Sequence, residues 1–205
     1  MKSAIILAGG LSRRFGKDKG LLLLGEKPLL LHVLGATSSV VDEVLVVVSS
    51  ATQSEIYKSM GTEARIVTDN RDIQTPLVGA LTGFANALGE YSLLLPCDAP
   101  FVSRQAASML LGLCVNNDAV IPVWPNGHIE PLQAAYRTES ARAAAKSALD
   151  DNKMDMRSMI ALLDRVRYVQ TSMLKQLDPR LLTFFNVNTP RKLEEAESML
   201  RRSRR

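Results

Sequence analysis

The feature that most constrains the fold is a regular alternation of short apolar runs with longer amphipathic segments. Val44–Val48 and Tyr91–Leu95 are apolar runs of strand length, while Thr52–Ser59 and Leu77–Leu88 have the composition of helices. In Val44–Val48 the β-branched residues follow one another without alternation, which is typical of a strand buried on both faces. This alternation is the signature of βαβ units. We therefore predict an α/β fold around a mainly parallel sheet.

The same pattern predicts the remaining elements and a single domain over residues 1–200. Residues 1–115 form the more regular half, and residues 116–200 form a less regular half in which Asn126-Gly127 marks a turn between two strand-like runs. We expect strands at Ser3–Leu7, Ala64–Val67, Ala119–Val123, Glu130–Tyr136 and Val166–Val169, and helices at Pro28–Ser39, Ser103–Val115, Thr138–Leu149, Asp155–Leu163 and Pro190–Leu200. We also expect a strand before Asn186.

Composition and charge exclude several classes of protein. The chain has 205 residues, 46% of them hydrophobic and 22% charged, which is typical of a soluble globular protein. No apolar run approaches the ~20 residues of a membrane span, and the first apolar segment is too short for a signal peptide. We therefore expect a cytoplasmic protein without a membrane partner. The two cysteines lack the spacing of a zinc site, and we expect buried, unpaired thiols.

The net charge of +4 comes from the carboxyl terminus. The tail at residues 201–205 contains four arginines, and without them the chain has 21 basic and 21 acidic residues. We expect this tail to be solvated and disordered, and we predict no nucleic-acid partner.

Small and acidic residues follow the predicted parallel strands. Gly9 and Gly10 follow the first strand, Ser49 follows Val44–Val48, Asp69 lies just beyond Ala64–Val67, and Asp98 lies just beyond Tyr91–Leu95. Ligands of open parallel sheets bind beyond the carboxyl ends of the strands. These residues are therefore predicted to converge on one site.

The segment Leu7–Lys19 combines adjacent glycines with four basic residues. Glycines let main-chain N–H groups approach an anion, and the side chains of Arg13, Arg14, Lys17 and Lys19 supply charge-assisted donors. The spacing matches neither a Walker A loop nor the GxGxxG fingerprint. The alternative is a basic surface turn. We favour phosphate binding because the strand, the glycines and the basic cluster coincide.

The two aspartates each have a functional and a structural interpretation. Asp98 is suited to hold Mg²⁺ beside a phosphate site, or it caps a turn between two prolines. Asp69 is suited to accept hydrogen bonds from a ribose or from guanine, or it forms an Asx turn. Asn186 is a further candidate for the site. The isolated His32 is expected in the core, and the histidines form no catalytic triad.

These motifs resemble those of the molybdenum cofactor guanylyltransferases. Leu7–Lys19 is similar to the family's Leu-Ala-Gly-Gly-x-Ser-x-Arg-Φ-Gly-x-Asp-Lys loop, in which Φ is an apolar residue, and Leu95–Val102 resembles its metal-site segment. Thr75–Gly79 resembles its Gly-Pro-Leu-x-Gly turn, with Thr75 in place of the first glycine. Glu130-Pro131-Leu132 and Asn186–Pro190 match motifs that lie further along the sequences of this family. The resemblance covers nearly the whole chain, and Leu-Ala-Gly-Gly matches the members that use guanine.

The resemblance implies a Rossmann-like nucleotidyltransferase fold with three α/β/α layers. It implies transfer of GMP from GTP to molybdopterin with release of pyrophosphate, and Mg²⁺ as cofactor. Carried over by position, Leu7, Ala8, Gly9 and Gly10 contact the nucleotide through the main chain, and Asp69 contacts the nucleoside. We assign Lys19, Arg13 and Asp98 as catalytic residues, with Asp98 as the metal ligand. Ser49, where relatives have asparagine, is a further nucleotide contact.

Partners and alternatives complete the set of expectations. GTP and the molybdopterin cofactor are the expected small-molecule partners, cofactor-handling proteins are candidate protein partners, and a monomer or weak oligomer is expected. Residues 1–115 are assigned to GTP and residues 116–200 to the acceptor, with Trp124 and Arg157 as candidate acceptor contacts. The alternatives are a cytidylyltransferase, a guanylyltransferase for another phosphorylated metabolite, or a non-catalytic GTP-binding module. A further alternative is an RNA-binding protein that binds through the arginine tail.

Overall fold

The computed structural model describes residues 1–9, 11–12, 15, 17–69 and 73–203. Within these ranges a seven-stranded sheet forms the centre of the molecule. Its strands are β1 (Lys2–Leu7), β6 (Glu43–Val48), β7 (Arg65–Thr68), β8 (Tyr91–Pro96), β9 (Ala119–Val123), β10 (Ala134–Arg137) and β11 (Val166–Gln170). Their order across the sheet is β11-β9-β10-β8-β1-β6-β7.

Most neighbouring strands of the sheet are parallel, as predicted. β1 pairs in parallel with both β6 and β8, β6 with β7, and β9 with β11. β10 is the exception, because it runs antiparallel to both β8 and β9. The long loop between β9 and β10 contains the predicted turn at Asn126-Gly127, where Gly127 has a φ of 81°. The strands β7, β6, β1, β8 and β9 therefore all end at the same edge of the sheet.

Helices cover both faces of this sheet and form the predicted three layers. On one face lie α3 (Pro76–Asn86), α5 (Thr138–Asp150) and α6 (Met156–Ile160), which pack with alternate strand residues such as Ile5 and Leu94. On the other face lie α1 (Leu29–Thr37), α2 (Ala51–Ser59) and α4 (Arg104–Leu113), which pack with Ile6 and Leu93. Successive residues of each buried strand thus contact different helix layers, which explains the continuous apolar runs in the sequence.

Small elements connect these layers. Two two-residue ladders follow β1, one between β2 (Leu11–Ser12) and β3 (Lys17–Asp18) and one between β4 (Leu23–Leu24) and β5 (Lys27–Pro28). Short 3₁₀ turns occur at Lys19–Leu21 and Leu182–Phe184, and the short helix α7 at Thr171–Leu174. The last helix, α8 (Pro190–Ser203), packs through Ala196 against Leu24 and Leu29.

Several local predictions were wrong. Helix α2 is capped by Ser50, whose side chain accepts from Gln53 N–H, so it begins at Ala51 rather than at the predicted Thr52. The segment before Asn186 is a 3₁₀ turn rather than a strand, because the Asp178 carboxylate accepts from two successive main-chain N–H groups there. Helix α8 continues to Ser203, so the first three residues of the predicted disordered tail are helical. The last two residues lie outside the described ranges.

Charged and polar groups at the opposite, amino-terminal edge of the sheet stabilise the fold. The Glu43 carboxylate accepts from Ser3 Oγ at 2.7 Å and from Leu88 N–H, and Arg65 Nη2 lies 3.2 Å from it. Burial alone would raise the pKa of Glu43, but these hydrogen bonds and the guanidinium outweigh it and hold the pKa below its ordinary value of 4.5. The ionised form of Glu43 is therefore stabilised by folding.

Two sequence-level exclusions can be compared with the structure. Cys97 and Cys114 are free and buried, as expected. Among the described residues, no helix combines the length and the hydropathy that a bilayer crossing requires.

Candidate active site

A cavity of about 640 Å³ opens at the carboxyl edge of the sheet, where β1, β6, β7 and β8 end side by side. The loops that follow these strands, the amino-terminal turn of α3 and two later segments form its walls. The lining residues are Leu7, Gly9, Lys19, Val47, Val48, Ser49, Asp69, Gln74, Thr75, Pro76, Gly79, Pro96, Cys97, Asp98, Leu132, Asn186 and Asn188. The predicted convergence of strand ends is therefore present in the structure.

Lys19 and Asp98 form an ion pair in the lining of the cavity. Lys19 Nζ lies 2.7 Å from Asp98 Oδ2, and the side chain of Asp98 is only 10% exposed. Asp98 is held at the end of β8 because Cys97 N–H donates to Leu7 O and Val187 N–H donates to Asp98 O. Residues 79 positions apart thus bring a cation and a carboxylate together in a partly water-excluded site. In such a site each charge interacts more strongly with a charged ligand than it would in bulk water.

Asp69 and Ser49 occupy neighbouring positions on the cavity wall. Asp69 follows β7, its N–H donates to Val48 O at 2.7 Å, and Oδ1 accepts from Thr82 Oγ1 at 3.2 Å. Ser49 follows β6, and both its N–H and its hydroxyl donate to Gln53 Oε1. Thr82 and Gln53 hold these two side chains without lining the cavity themselves, and they were not predicted, because each lies inside a helix where a polar residue carries no distinctive signal.

The glycine-rich segment is only partly described. Leu7 and Gly9 line the cavity. Ala8 does not, because its N–H donates to Val47 O and its carbonyl accepts from Gln53 Nε2. Both main-chain groups of Ala8 are therefore engaged within the protein, in contrast to the predicted nucleotide contact. The other two predicted residues of this segment, Gly10 and Arg13, lie outside the described residues.

The first turn of α3 forms part of the cavity wall. Thr75 caps this helix, since its Oγ1 accepts from Val78 N–H, and Pro76 occupies the first helical position. The threonine that replaces the family's glycine therefore has a defined structural role as an N-cap. Gly79 leaves room in the wall, where an added Cβ would lie 3.4 Å from Leu7 Cδ2. An anionic ligand in this cavity would lie near the positive end of the helix dipole.

Residues of the second half complete the cavity, although two of the predicted ones do not take part. Asn186 lines the cavity, and its Oδ1 accepts from the buried Gln133 Nε2 at 2.9 Å. Trp124 instead donates to Glu130 Oε1 and packs edge-to-face on Phe184, beside a separate hollow of about 400 Å³. Arg157 is exposed on α6. Trp124 and Arg157 are thus not brought to the main cavity.

The cavity contains no activated nucleophile among the residues that the structure describes. Burial, together with the negative charges of Asp98 and Asp18, raises the pKa of the Cys97 thiol well above its usual range. The thiol therefore stays protonated at neutral pH and is a poor nucleophile. The site offers charge and hydrogen-bond donors and acceptors for binding a ligand, and no covalent intermediate is indicated.

Comparison with known proteins agrees with this geometry. Residues 4–168 match the model of the MobA-like NTP transferase domain. The chain is 33% identical to a probable molybdenum cofactor guanylyltransferase of Methanosarcina acetivorans, with 97% of this chain and 90% of that protein aligned. It is 31% identical to a molybdenum cofactor guanylyltransferase of Desulfosudis oleivorans, with 98% and 97% aligned.

Solved structures show the same architecture. The crystal structure of molybdopterin-guanine dinucleotide biosynthesis protein A from Archaeoglobus fulgidus has a TM-score of 0.85 and 28% identity, and the alignment covers 98% of this chain and 100% of that one. A 2-C-methyl-D-erythritol 4-phosphate cytidylyltransferase from Thermus thermophilus has a TM-score of 0.74 at 21% identity, with 98% and 100% covered, which shows a common fold.

The sheet, the cavity and these similarities define an enzyme of the nucleotidyltransferase class. Within that class, the chain belongs to the MobA-like NTP transferase family. The expected Rossmann-like nucleotidyltransferase fold and the family resemblance are both confirmed.

Proposed function

We propose that this enzyme transfers GMP from GTP to the phosphate of molybdopterin and releases pyrophosphate. The observation that carries the proposal is the Lys19–Asp98 pair, which faces a cavity at the strand ends of a chain whose relatives are named molybdenum cofactor guanylyltransferases. In this reaction an oxygen of the acceptor phosphate forms a bond to the α-phosphorus of GTP. The bond between that phosphorus and the bridging oxygen breaks, and pyrophosphate leaves with the bonding electrons.

The described residues suit a reaction that depends on positioning and charge. A phosphate acceptor is already an anionic nucleophile at neutral pH, so the absence of a cavity histidine among the described residues is no obstacle. The Lys19 ammonium offsets negative charge that grows on the triphosphate oxygens, and the positive end of the α3 dipole faces the same cavity. The triphosphate is therefore assigned to the space between Lys19 and the amino end of α3. Arg13 is proposed to assist Lys19, and its position lies outside the described residues.

A divalent cation, Mg²⁺, is the proposed cofactor, and Asp98 would hold it. No cluster of three or more acidic, histidine or cysteine side chains occurs in the part of the chain that the structure describes. Asp98 would supply one ligand, and oxygen atoms of the substrate phosphates are suited to supply further ligands. The contact of Asp98 with the Lys19 ammonium supports this assignment, because the carboxylate already interacts with a cation. When bound, the ion neutralises phosphate charge.

The two substrates are assigned to different ends of the cavity. We assign the nucleoside to the side of Asp69 and Ser49, whose oxygen atoms lie on the wall formed by β6 and β7. We assign the acceptor to the side of Leu132, Asn186 and Asn188, which the second half of the chain contributes. The cytoplasmic location and the monomeric or weakly oligomeric state stay predictions.

A pyrophosphate-release assay with GTP and molybdopterin tests the proposal. Lys19→Met and Asp98→Asn remove one charge each with little change of shape, and we expect each to lower turnover by ~10²–10³-fold. Lys58→Met is the matched control, because Lys58 forms an ion pair with Glu55 on the exposed surface of α2. The control should keep normal turnover, and circular dichroism should show that all three variants are folded.

Three results would reject the assignment. Normal turnover in both cavity variants would show that the pair is not catalytic. Release of pyrophosphate from CTP rather than GTP would identify a cytidylyltransferase, and binding of GTP without pyrophosphate release would identify a non-catalytic module.

A further inference from the structure

The residue that precedes Lys19 has an unusual concentration of hydrogen-bond donors around its carboxylate. Asp18 Oδ1 accepts from Gly20 N–H at 2.9 Å and from Tyr57 Oη at 2.7 Å. Its Oδ2 accepts from Gln53 Nε2. Three donors from two separate segments therefore fix one side chain, and with it the turn on which Lys19 lies.

Gln53 connects this carboxylate to two other walls of the cavity. Its Nε2 also donates to Ala8 O at 2.9 Å, and its Oε1 accepts from Ser49 N–H at 2.9 Å and from Ser49 Oγ at 3.1 Å. Both ends of the carboxamide are engaged, so its orientation is determined. One side chain that is only 8% exposed thus joins the end of β1, the end of β6 and the Lys19 turn.

Tyr57 supplies the third donor from a fully buried position on α2. Burial, with the hydrogen bond to Asp18 among the other causes, raises the pKa of Tyr57 far above its ordinary value, so the hydroxyl remains a donor. The turn lies directly on this side chain, because a Cβ added at Gly20 would be 2.2 Å from the hydroxyl oxygen. A phenylalanine would fill the same apolar space, so the hydroxyl contributes specifically through Asp18.

These contacts have a direct consequence for Lys19. Its side chain is long and 28% exposed, and it nevertheless reaches to 2.7 Å from Asp98 Oδ2. A fixed main chain at the base of a lysine restricts where its ammonium group can lie, which lowers the entropy cost of each productive contact. We propose that Asp18, Gln53 and Tyr57 form a clamp that positions Lys19 for phosphoryl transfer, and this inference rests on the proposed function. The three are positioning residues, because they act through Lys19.

Tyr57→Phe is the variant that tests the clamp with the least change of volume. We expect its kcat/KM for pyrophosphate release to fall about ten-fold, as for loss of one hydrogen bond to a charged group. Ser92→Ala is the matched control: its hydroxyl is fully buried and paired with Thr138, but it lies near the beginning of β8, away from the cavity. Ser92→Ala should lower the melting temperature about as much as Tyr57→Phe does and leave kcat/KM unchanged.

A double-mutant cycle separates positioning from a general loss of structure. In a Lys19→Met background, Tyr57→Phe should cause no further loss of kcat/KM. An equal ten-fold loss in both backgrounds would overturn the proposal, since the effect would then not pass through Lys19. Unchanged kinetics of Tyr57→Phe in the wild-type background would also overturn it.

A structural measurement distinguishes failure of the clamp from failure of the proposed function. In crystals of Tyr57→Phe without substrate, we expect the Lys19 side chain to leave Asp98 or to occupy several conformers. If wild-type enzyme releases no pyrophosphate, the proposed function fails, and the position of Lys19 in these crystals still decides whether the clamp exists. An unmoved Lys19 would contradict it.

Discussion

Replacing Gly83 by alanine should destabilise the protein although it improves the intrinsic propensity of a helix. Gly83 lies in α3, and an added Cβ would be 2.3 Å from Cγ2 and 3.3 Å from Cδ1 of Ile5. Ile5 is fully buried in the central strand β1, so it has little room to move away. Overpacking of this kind costs about 1–3 kcal/mol. The gain in helix propensity is about 1 kcal/mol, so the expected net effect is a loss of up to ~2 kcal/mol.

Gly35→Ala provides the matched control. Gly35 is exposed in α1, and a Cβ there would meet nothing within 4 Å. This variant should therefore gain about 0.5–1 kcal/mol. Urea unfolding of the two variants beside the wild type measures both effects, and melting temperatures should move in opposite directions by ~2–4 °C per kcal/mol. Equal stabilisation by both substitutions would refute the packing of α3 on β1 described above.

Three further predictions follow from individual contacts. Because folding lowers the pKa of Glu43, the contribution of its carboxylate to stability should be present above pH 4.5 and be lost as the pH falls through the lower folded pKa. Glu43→Gln should therefore be less stable than wild type at pH 7. Unfolding midpoints measured at decreasing pH should show this difference in stability shrinking below pH 4.5. Burial raises the pKa of Cys114 to about 12, and Cys97 is likewise buried, so a thiol reagent at pH 8 should label neither in the native protein and both in urea. Rapid labelling of Cys97 would contradict the closed cavity wall. Gly20→Ala should lower kcat/KM at least as much as Tyr57→Phe, because its Cβ would displace the Tyr57 hydroxyl. Normal kinetics of this variant would contradict the close contact between the Lys19 turn and Tyr57.

The strands and their common edge were predictable because burial on both faces leaves a strong signal. The run of apolar residues at Val44–Val48 predicts a strand by itself, and all five residues lie in β6. The positions after such strands then follow from topology, which is why Asp69 and Asp98 were correctly expected at one cavity. The carboxyl ends of β1, β6, β7 and β8 are neighbours because these strands are adjacent and parallel in the sheet.

The parts that were not predictable depend on contacts between distant segments. Gln53 is an unremarkable polar residue in a helical segment, and only the folded chain shows that it joins Ala8, Ser49 and Asp18. The Asn126-Gly127 turn indicated that β9 and β10 follow one another through a turn, but only the folded chain shows that β10 also lies antiparallel beside β8. Trp124 was assigned to the acceptor because flat ligands bind aromatic side chains, but its neighbour in the structure is Phe184.

We expect the cavity to hold the triphosphate of GTP beside Lys19 and Asp98. A crystal structure of the enzyme with Mg²⁺ and a non-hydrolysable GTP analogue tests it most directly. The account predicts phosphate oxygens within hydrogen-bond distance of Lys19 Nζ, the ion on Asp98, and the guanosine beside Asp69. Triphosphate density in another part of the molecule, or an Asp98 carboxylate that contacts neither the ion nor the phosphates, would contradict it.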